Sequence, residues 1–516
     1  MSTGEPAAYL GSGERSRGYA WLTGAALLGL AVIALSRPNA AKPDLRSGWP
    51  LDGLLPLSLS PAWVTGVLWG AYAVGAVAVF VGFRRPVRPL GWGMPLALAA
   101  VALIAAPLGS ADHLNYAAYG RILIGGGNPW TASPIAWAGG TDPITSAVEA
   151  PWTTTPSVYG PFVTLLHAAG AAMGGSDLRL VVLGWQVFVV LAWLGVRAAL
   201  RGLLGPAQNG RIDVLWTLNP LVVATALLGA HVDTVAVAFV VAAAAALTRW
   251  PTRRGVVVAG VCAALATGTK FTYAVIGVAI LLTWFVIEPR VGGHEQRLSW
   301  RAGRARVGWL LAGAVPTLVV LYAGAGLDAL LQPFRAGSSV SLATPWRLVL
   351  RSLSDPLGNT VTRTLIMVGS AALAITLAVL FLRLLRPAGS PPASTGALVL
   401  VTTAGLGAAY SLSAGYTLPW YDLLAWAALP AVAPGLLDLV LLARLTIIAA
   451  AYVPGRVLGS TPAVDAVTLG YRREVAPWLQ LALWVVTLVT ASRAVRAAGD
   501  DRAAPGLGRG PGPPGP

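Results

Sequence analysis

The chain has 516 residues, 56% of them hydrophobic and only 11% charged, and its mean hydropathy is +0.69. So few charges cannot cover that much apolar surface in water, which excludes a soluble globular enzyme and describes an all-α, polytopic membrane protein. The net charge of +16 is spread as short arginine clusters between apolar runs, a topology pattern and not the single basic face of a nucleic-acid binder.

Residues 1–18 are polar and carry Arg15 and Arg17 just before the first apolar run, which predicts a cytoplasmic tail. The run 19–36 is longer than the apolar part of a cleavable signal and is expected to stay as a helix. A second span over 61–82 ends at Arg84, Arg85 and Arg88, and a third over 91–108 delivers Asp112 to the outer face. The next run, 162–174, has about 13 residues where a crossing needs roughly 20, so 159–175 is predicted to lie along the outer surface. Spans at 178–200, 213–230, 232–248, 255–270 and 271–287 then keep Arg197, Arg201, Arg211, Arg249, Arg253 and Arg254 inside. Residues 288–306, with five arginines, read as a cytoplasmic loop, and 326–360 and 454–477 as outer loops. Further spans at 307–324, 362–382, 396–412, 420–435, 437–453 and 478–494 bring the expected total to about fourteen. The predicted organisation is a tail over 1–18, a transmembrane domain over 19–497 with a large extracytoplasmic loop at 109–177, and a disordered Pro/Gly-rich cytoplasmic tail over 498–516.

Cys262 is the only cysteine, so an intrachain disulfide and a thiolate metal cluster are both excluded. The four histidines form no HExxH-type pair, and no metal or other cofactor is expected. The polar residues at helix mouths gather on the predicted outer side. Asp112, His113, Asn115, Tyr116 and Arg121 open the first large loop, His231 and Asp233 follow Asn219-Pro220, Lys270 ends a span, and Trp420, Tyr421 and Asp422 begin another. A carboxylate where a helix leaves the membrane is costly enough to suggest chemistry. Lys270 is one of only two lysines in the chain, the other being Lys42. On that face nucleotide sugars are absent, so a sugar transfer there needs a lipid-linked donor. One carboxylate, Asp112, would take the acceptor proton, and a cation, Lys270 or Arg121, would hold the departing phosphate.

The string DHLNYAAYGRILIGGGNPWTASP, beginning at Asp112, resembles the first periplasmic loop of the actinobacterial polyprenol-phosphate-mannose-dependent α-1,6-mannosyltransferases. VYGPFVTLL, LNPLVVATALLGAHVDTVAVAF and YTLPWYDLLAWAALP resemble later stretches of the same family, in the same order. The resemblance implies a GT-C fold and a metal-independent, inverting transfer of mannose from a polyprenyl-phosphate-mannose donor to a growing α-1,6-mannan or glycolipid acceptor. It also implies a multi-pass protein of the plasma membrane, with Asp112 matching the family's loop carboxylate and His113, Tyr116, Arg121, His231, Asp233, Lys270, Trp420 and Tyr421 on the substrates. Two departures stand out: Val232 replaces the family's usual Asn between His231 and Asp233, and Lys270-Phe271-Thr272 replaces Lys-Pro-Pro.

Plainer roles compete for several of these residues. Asp233 can cap a helix, Lys270 can snorkel to the interface, Arg121 can anchor there, and Trp130, Trp137, Trp152 and Trp420 suit an aromatic belt. Asp142 and Glu149 serve equally as acceptor-side acids or as members of a solvated loop, and His167 reads as structural. At the level of the whole chain, the rivals are a transporter or lipid-carrier flippase, and an accessory protein that keeps the fold without the chemistry.

Overall fold

The computed structural model describes residues 10–45, 51, 53–85, 87–291, 300–336, 339–389, 393–456 and 458–503. Among them, extended pairing is limited to two isolated bridges, Asn39 with Lys42 and Pro387 with Val432. The helices follow in chain order: α1 (Leu10–Leu35), α2 (Pro61–Phe83), α3 (Gly93–Ile104), α4 (Asp112–Ile124), α5 (Pro161–Gly174), α6 (Leu178–Leu204), α7 (Val232–Arg249) and α8 (Arg253–Thr269). They continue with α9 (Phe271–Arg290), α10 (Trp300–Ala325), α11 (Leu327–Ala336), α12 (Trp346–Leu357), α13 (Asn359–Leu384), α14 (Thr395–Ser413), α15 (Leu436–Ala451) and α16 (Pro462–Ala498). Their starts are written locally. Proline opens α2, α5 and α16, where a missing amide costs nothing, and Ser60, Asp177 and Thr461 accept from the amides of Trp63, Leu180 and Val464.

The chain is an all-α membrane protein. Nine helices among the described residues are long and apolar enough to cross a bilayer, ten if the bent pair Pro206–Thr217 and Pro220–Leu228 is one span. The sequence predicted about fourteen, and the difference has local causes. α3 has only 12 residues, too few to cross, while α15 with 16 and α8 with 17 stand at the short limit of a crossing helix. The segment expected to span 420–435 is instead a run of short helical turns over 419–431, with Pro430 removing an amide from the hydrogen-bond ladder near its end. Pro220 likewise bends the chain by 48°, and Asn219 restarts the helix by accepting from the amides of Leu221 and Val222. α5 stands where a short surface helix was predicted. The expected outer loops are partly helical, since 326–360 contains α11 and α12 and 454–477 contains the first turns of α16. α1 begins within the predicted amino-terminal tail, and the last helix runs on to Ala503. The rest of the two tails, 1–9 and 504–516, and residues 292–299 of the predicted cytoplasmic loop lie outside the described residues.

The core is built around α7 and α14, with α8 on one flank crossing α10. That crossing is close enough to require glycine: a methyl group at Gly260 would come within 2.1 Å of the Leu310 carbonyl, and one at Gly313 within 2.1 Å of the Val257 carbonyl.

α6 defines two polar ends of the molecule. In its first turn Arg179 donates to the carbonyls of Leu103 and Ile104 at 2.7 and 3.0 Å. Eighteen residues on, about 27 Å along the axis, Arg197 Nε meets Asp213 Oδ1 at 3.1 Å, with neither side chain exposed. Arg201 reaches Asp213 Oδ2 at 2.6 Å, and the Leu90 amide donates to the same oxygen at 2.9 Å. Asp213 thus pins the end of α6 to the approach of α3. Asp213→Leu strands the buried Arg197 and the half-buried Arg201 and is expected to cost about 3–5 kcal/mol, read as thermal unfolding of the purified protein. A loss under 1 kcal/mol would contradict this role.

Candidate active site

The Arg179 end of α6 is where the sequence-predicted residues meet. Three loops hold the approach to α4: the Leu108 amide donates to Leu228 O, the Gly109 amide to Ala41 O, and Gly455 packs directly on the Gly109 carbonyl. Ser110 Oγ accepts from the Asp112 amide at 2.9 Å, which sets Asp112 as the first residue of α4. Its side chain is about 14% exposed, and Oδ2 lies 3.5 Å from His231 Nδ1. Tyr116, one helical turn on, brings its hydroxyl within 3.5 Å of the same nitrogen. His231 immediately precedes α7 and stacks on Trp420, with ring centroids 3.5 Å apart and planes 12° from parallel. Ala230, the residue before it, has φ of 52°, a left-handed conformation unusual for a residue with a Cβ, and its carbonyl accepts from Trp185 Nε1 at 2.7 Å.

Asp233 sits in the first turn of α7 but is not a cap. Its oxygens accept from Lys270 Nζ at 2.9 and 3.3 Å and from the Tyr273 hydroxyl at 3.0 Å. Lys270 occupies the extended break between α8 and α9, and its ammonium lies 3.4 Å from the centroid of the Tyr421 ring. This is a fixed cation, not one that snorkels. Asp112, Tyr116, His231, Asp233, Lys270, Trp420 and Tyr421 therefore form one connected cluster.

Two predicted residues stand apart from it. Arg121 is nine residues after Asp112, about 13 Å along α4, and its Nε donates to Asp142 Oδ2 at 2.8 Å. Asp142 also accepts from the amides of Ile144 and Thr145. Partial burial would raise its pKa, but the Arg121 bond and those amides outweigh it and hold the carboxyl below its usual range. His113 is buried on the other side of Asp112, and neither ring nitrogen has a hydrogen-bond partner. Burial, and then the nearby charges of Arg456, His231 and Arg179, push its pKa well below the ordinary value.

Sequence reasoning missed several neighbours. Arg456 binds Glu149 through Nε at 3.1 Å and the Asn39 carbonyl through Nη1 at 2.9 Å. Nothing marked it in the sequence, because the predicted outer loops 326–360 and 454–477 carry six arginines between them. Behind Asp112, Tyr116 stacks on His167 at 4.9 Å, and both meet Trp185 edge-on. A methyl at Gly120 would come within 2.2 Å of the His167 carbonyl, so glycine is what lets α4 and α5 touch. Among the described residues, no group of three or more His, Cys, Asp or Glu side chains could hold a metal ion.

The family model described as alpha-(1->6)-mannopyranosyltransferase, N-terminal domain, matches residues 23–286. The chain belongs to this family. No curated protein and no solved structure matches it. The family places the chain among the mannosyltransferases, and the matched segment carries Asp112, Tyr116, His231, Asp233 and Lys270. Trp420 and Tyr421 come from beyond it, so the later part of this mannosyltransferase closes the cluster that the first part begins.

Two outcomes follow for the cluster. Lys270→Met leaves Asp233 buried without its cation and is expected to destabilise by about 3–5 kcal/mol, whereas Lys270→Met with Asp233→Leu recovers most of that loss. Equal unfolding temperatures for the single and double variants would contradict the pairing. Burial holds the His167 pKa at about 3. The unfolded chain protonates this imidazole below about 6.5 and the folded one does not, so His167 lowers stability progressively between pH 6.5 and 3, by about 1.4 kcal/mol per unit. His167→Phe keeps the aromatic stack and should flatten the fall in unfolding temperature across that window. An unchanged slope would show that His167 titrates normally.

Proposed function

We propose that this mannosyltransferase takes mannose from a β-linked polyprenyl phosphate and delivers it, with inversion, to a 6-hydroxyl of an α-1,6-mannan or glycolipid acceptor outside the cytoplasm. The observation that carries the reading is how the acids of 109–177 are used. Asp142 is held by Arg121, Glu149 by Arg456, and Asp177 caps α6. Asp112 alone among these four faces an imidazole instead of a guanidinium or a helix end.

The orientation rests on charge. Arg249, Arg253, Arg383 and Arg493 stand at the far ends of α7, α8, α13 and α16 from the cluster, and the positive-inside rule puts that end in the cytoplasm. With the cluster outside, the donor is a lipid phosphate. The acceptor 6-oxygen attacks C1 of mannose, the bond from C1 to the phosphate oxygen breaks, and the hydroxyl proton passes to the Asp112 carboxylate. The departing polyprenyl phosphate gains a negative charge as a diester becomes a monoester. Lys270, already fixed by Asp233 and the Tyr421 ring, is a preorganised cation for that charge. His231 and Tyr116 orient Asp112, and Trp420 holds the His231 plane. Tyr421 completes the wall on the sugar side, His113 backs the base as a neutral group, and Arg121 braces the loop around the acceptor path through Asp142.

Asp112→Asn keeps the shape and removes the base. Transfer of radiolabelled mannose from polyprenyl-phosphate-mannose to a short α-1,6-mannoside should fall by about 10²–10⁴-fold at unchanged protein level. Transfer within a few-fold of the wild type would remove Asp112 from the chemistry.

A further inference from the structure

A cavity of about 850 Å³ opens at the end of the molecule away from Asp112. Its place follows from the helices: Thr248, 15 residues and about 22 Å along α7 from Asp233, bonds through its hydroxyl to Ser394 at 3.1 Å, just before α14. The cavity lies between the last turns of α9, α13 and α16 and the first turns of α14. Arg290, Arg383 and Arg386 line it, and the wall between them is apolar, with Leu382, Leu398 and Val495 among its residues. Among the described residues, no carboxylate pairs with these three arginines. Arg386 donates only to the carbonyls of Arg383 and Leu385, and the neighbouring acid Glu288 is taken by Arg306 and by the Thr395 hydroxyl.

We propose that this cavity binds the phosphate headgroup of an anionic phospholipid of the inner leaflet, with an acyl chain along the apolar wall. Three exposed guanidinium groups with no carboxylate partner among the described residues favour an anion. The wall they surround belongs to α9, α13, α14 and α16, which are long enough to span the bilayer, so it continues into the hydrocarbon region. A lipid phosphate satisfies both halves of the site, and inorganic phosphate satisfies only the first. The site is remote from the sugar chemistry and does not depend on it.

The test is native mass spectrometry of the full-length protein incubated with phosphatidylglycerol or phosphatidylcholine of the same chain length. Phosphatidylglycerol should be retained in clear excess, and each of Arg290→Gln, Arg383→Gln and Arg386→Gln should lower its retention about fivefold. Arg249→Gln and Arg253→Gln, outside the cavity, should leave it unchanged. The wild-type comparison of the two lipids tests the site without any variant that could fail to fold. Equal retention of both lipids, loss of phosphatidylglycerol on adding millimolar inorganic phosphate, or an equal effect of the Arg249 and Arg253 substitutions would overturn the assignment.

Discussion

An ammonium and a carboxylate buried in a membrane protein are tolerable only together, and the contact of Lys270 with Asp233 is the constraint on which the rest of the site depends. It joins the first turn of α7 to the break between α8 and α9, and Tyr273 and Tyr421 supply the remaining partners. With that turn fixed, His231 just before it has one place to go, flat against Trp420 and beside Asp112. The site is a joint where the ordinary spans α7 and α9 meet stretches of broken helix. The bend at Pro220, the extended Lys270 and the turns over 419–431 all end there, and irregular backbone at such a depth is sustained because it is buried in protein.

The two ends of the molecule handle charge differently. At the arginine-rich end Asp213 is shared by Arg197 and Arg201, and Asp438 is taken by Arg211, so the acids there serve the fold. At the Asp112 end Arg121 is taken by Asp142 and Arg456 by Glu149, and Asp112 faces histidine and tyrosine. That division leaves Asp112 beside His231 and Tyr116, while Lys270 is held by Asp233 and the Tyr421 ring. The chemistry needs one group that gains a proton and one that faces a leaving group gaining negative charge.

Much of this was legible in the residues. Asp112, His231, Asp233, Lys270, Trp420 and Tyr421 announce themselves as polar or amphipathic groups at the mouths of apolar runs, and the structure gathers them. Hydropathy reads apolarity without reading backbone continuity, so the run 420–435 with Pro430 inside it was counted as one span, and α3 was credited with a length it lacks. Long-range pairing was invisible for a different reason. Nothing local to Glu149 points to Arg456, three hundred residues away, and nothing in the helical pattern of α4 shows that Arg121 faces Asp142 instead of the site. The choice between cap and ligand at Asp233 also needed coordinates, because both readings ask for an acid in the first turn of a helix.

The central claim is that a sugar carried on a lipid phosphate is transferred at the Asp112 end, outside the cytoplasm. The direct measurement uses the purified protein in sealed vesicles with only the Asp112 face outward, β-linked polyprenyl-phosphate-mannose in the membrane and an α-1,6-dimannoside outside. The account predicts a trimannoside whose new linkage is α-1,6 and whose formation needs no nucleotide sugar. No elongation, a β-linked product, or elongation only when the acceptor is sealed inside would contradict it.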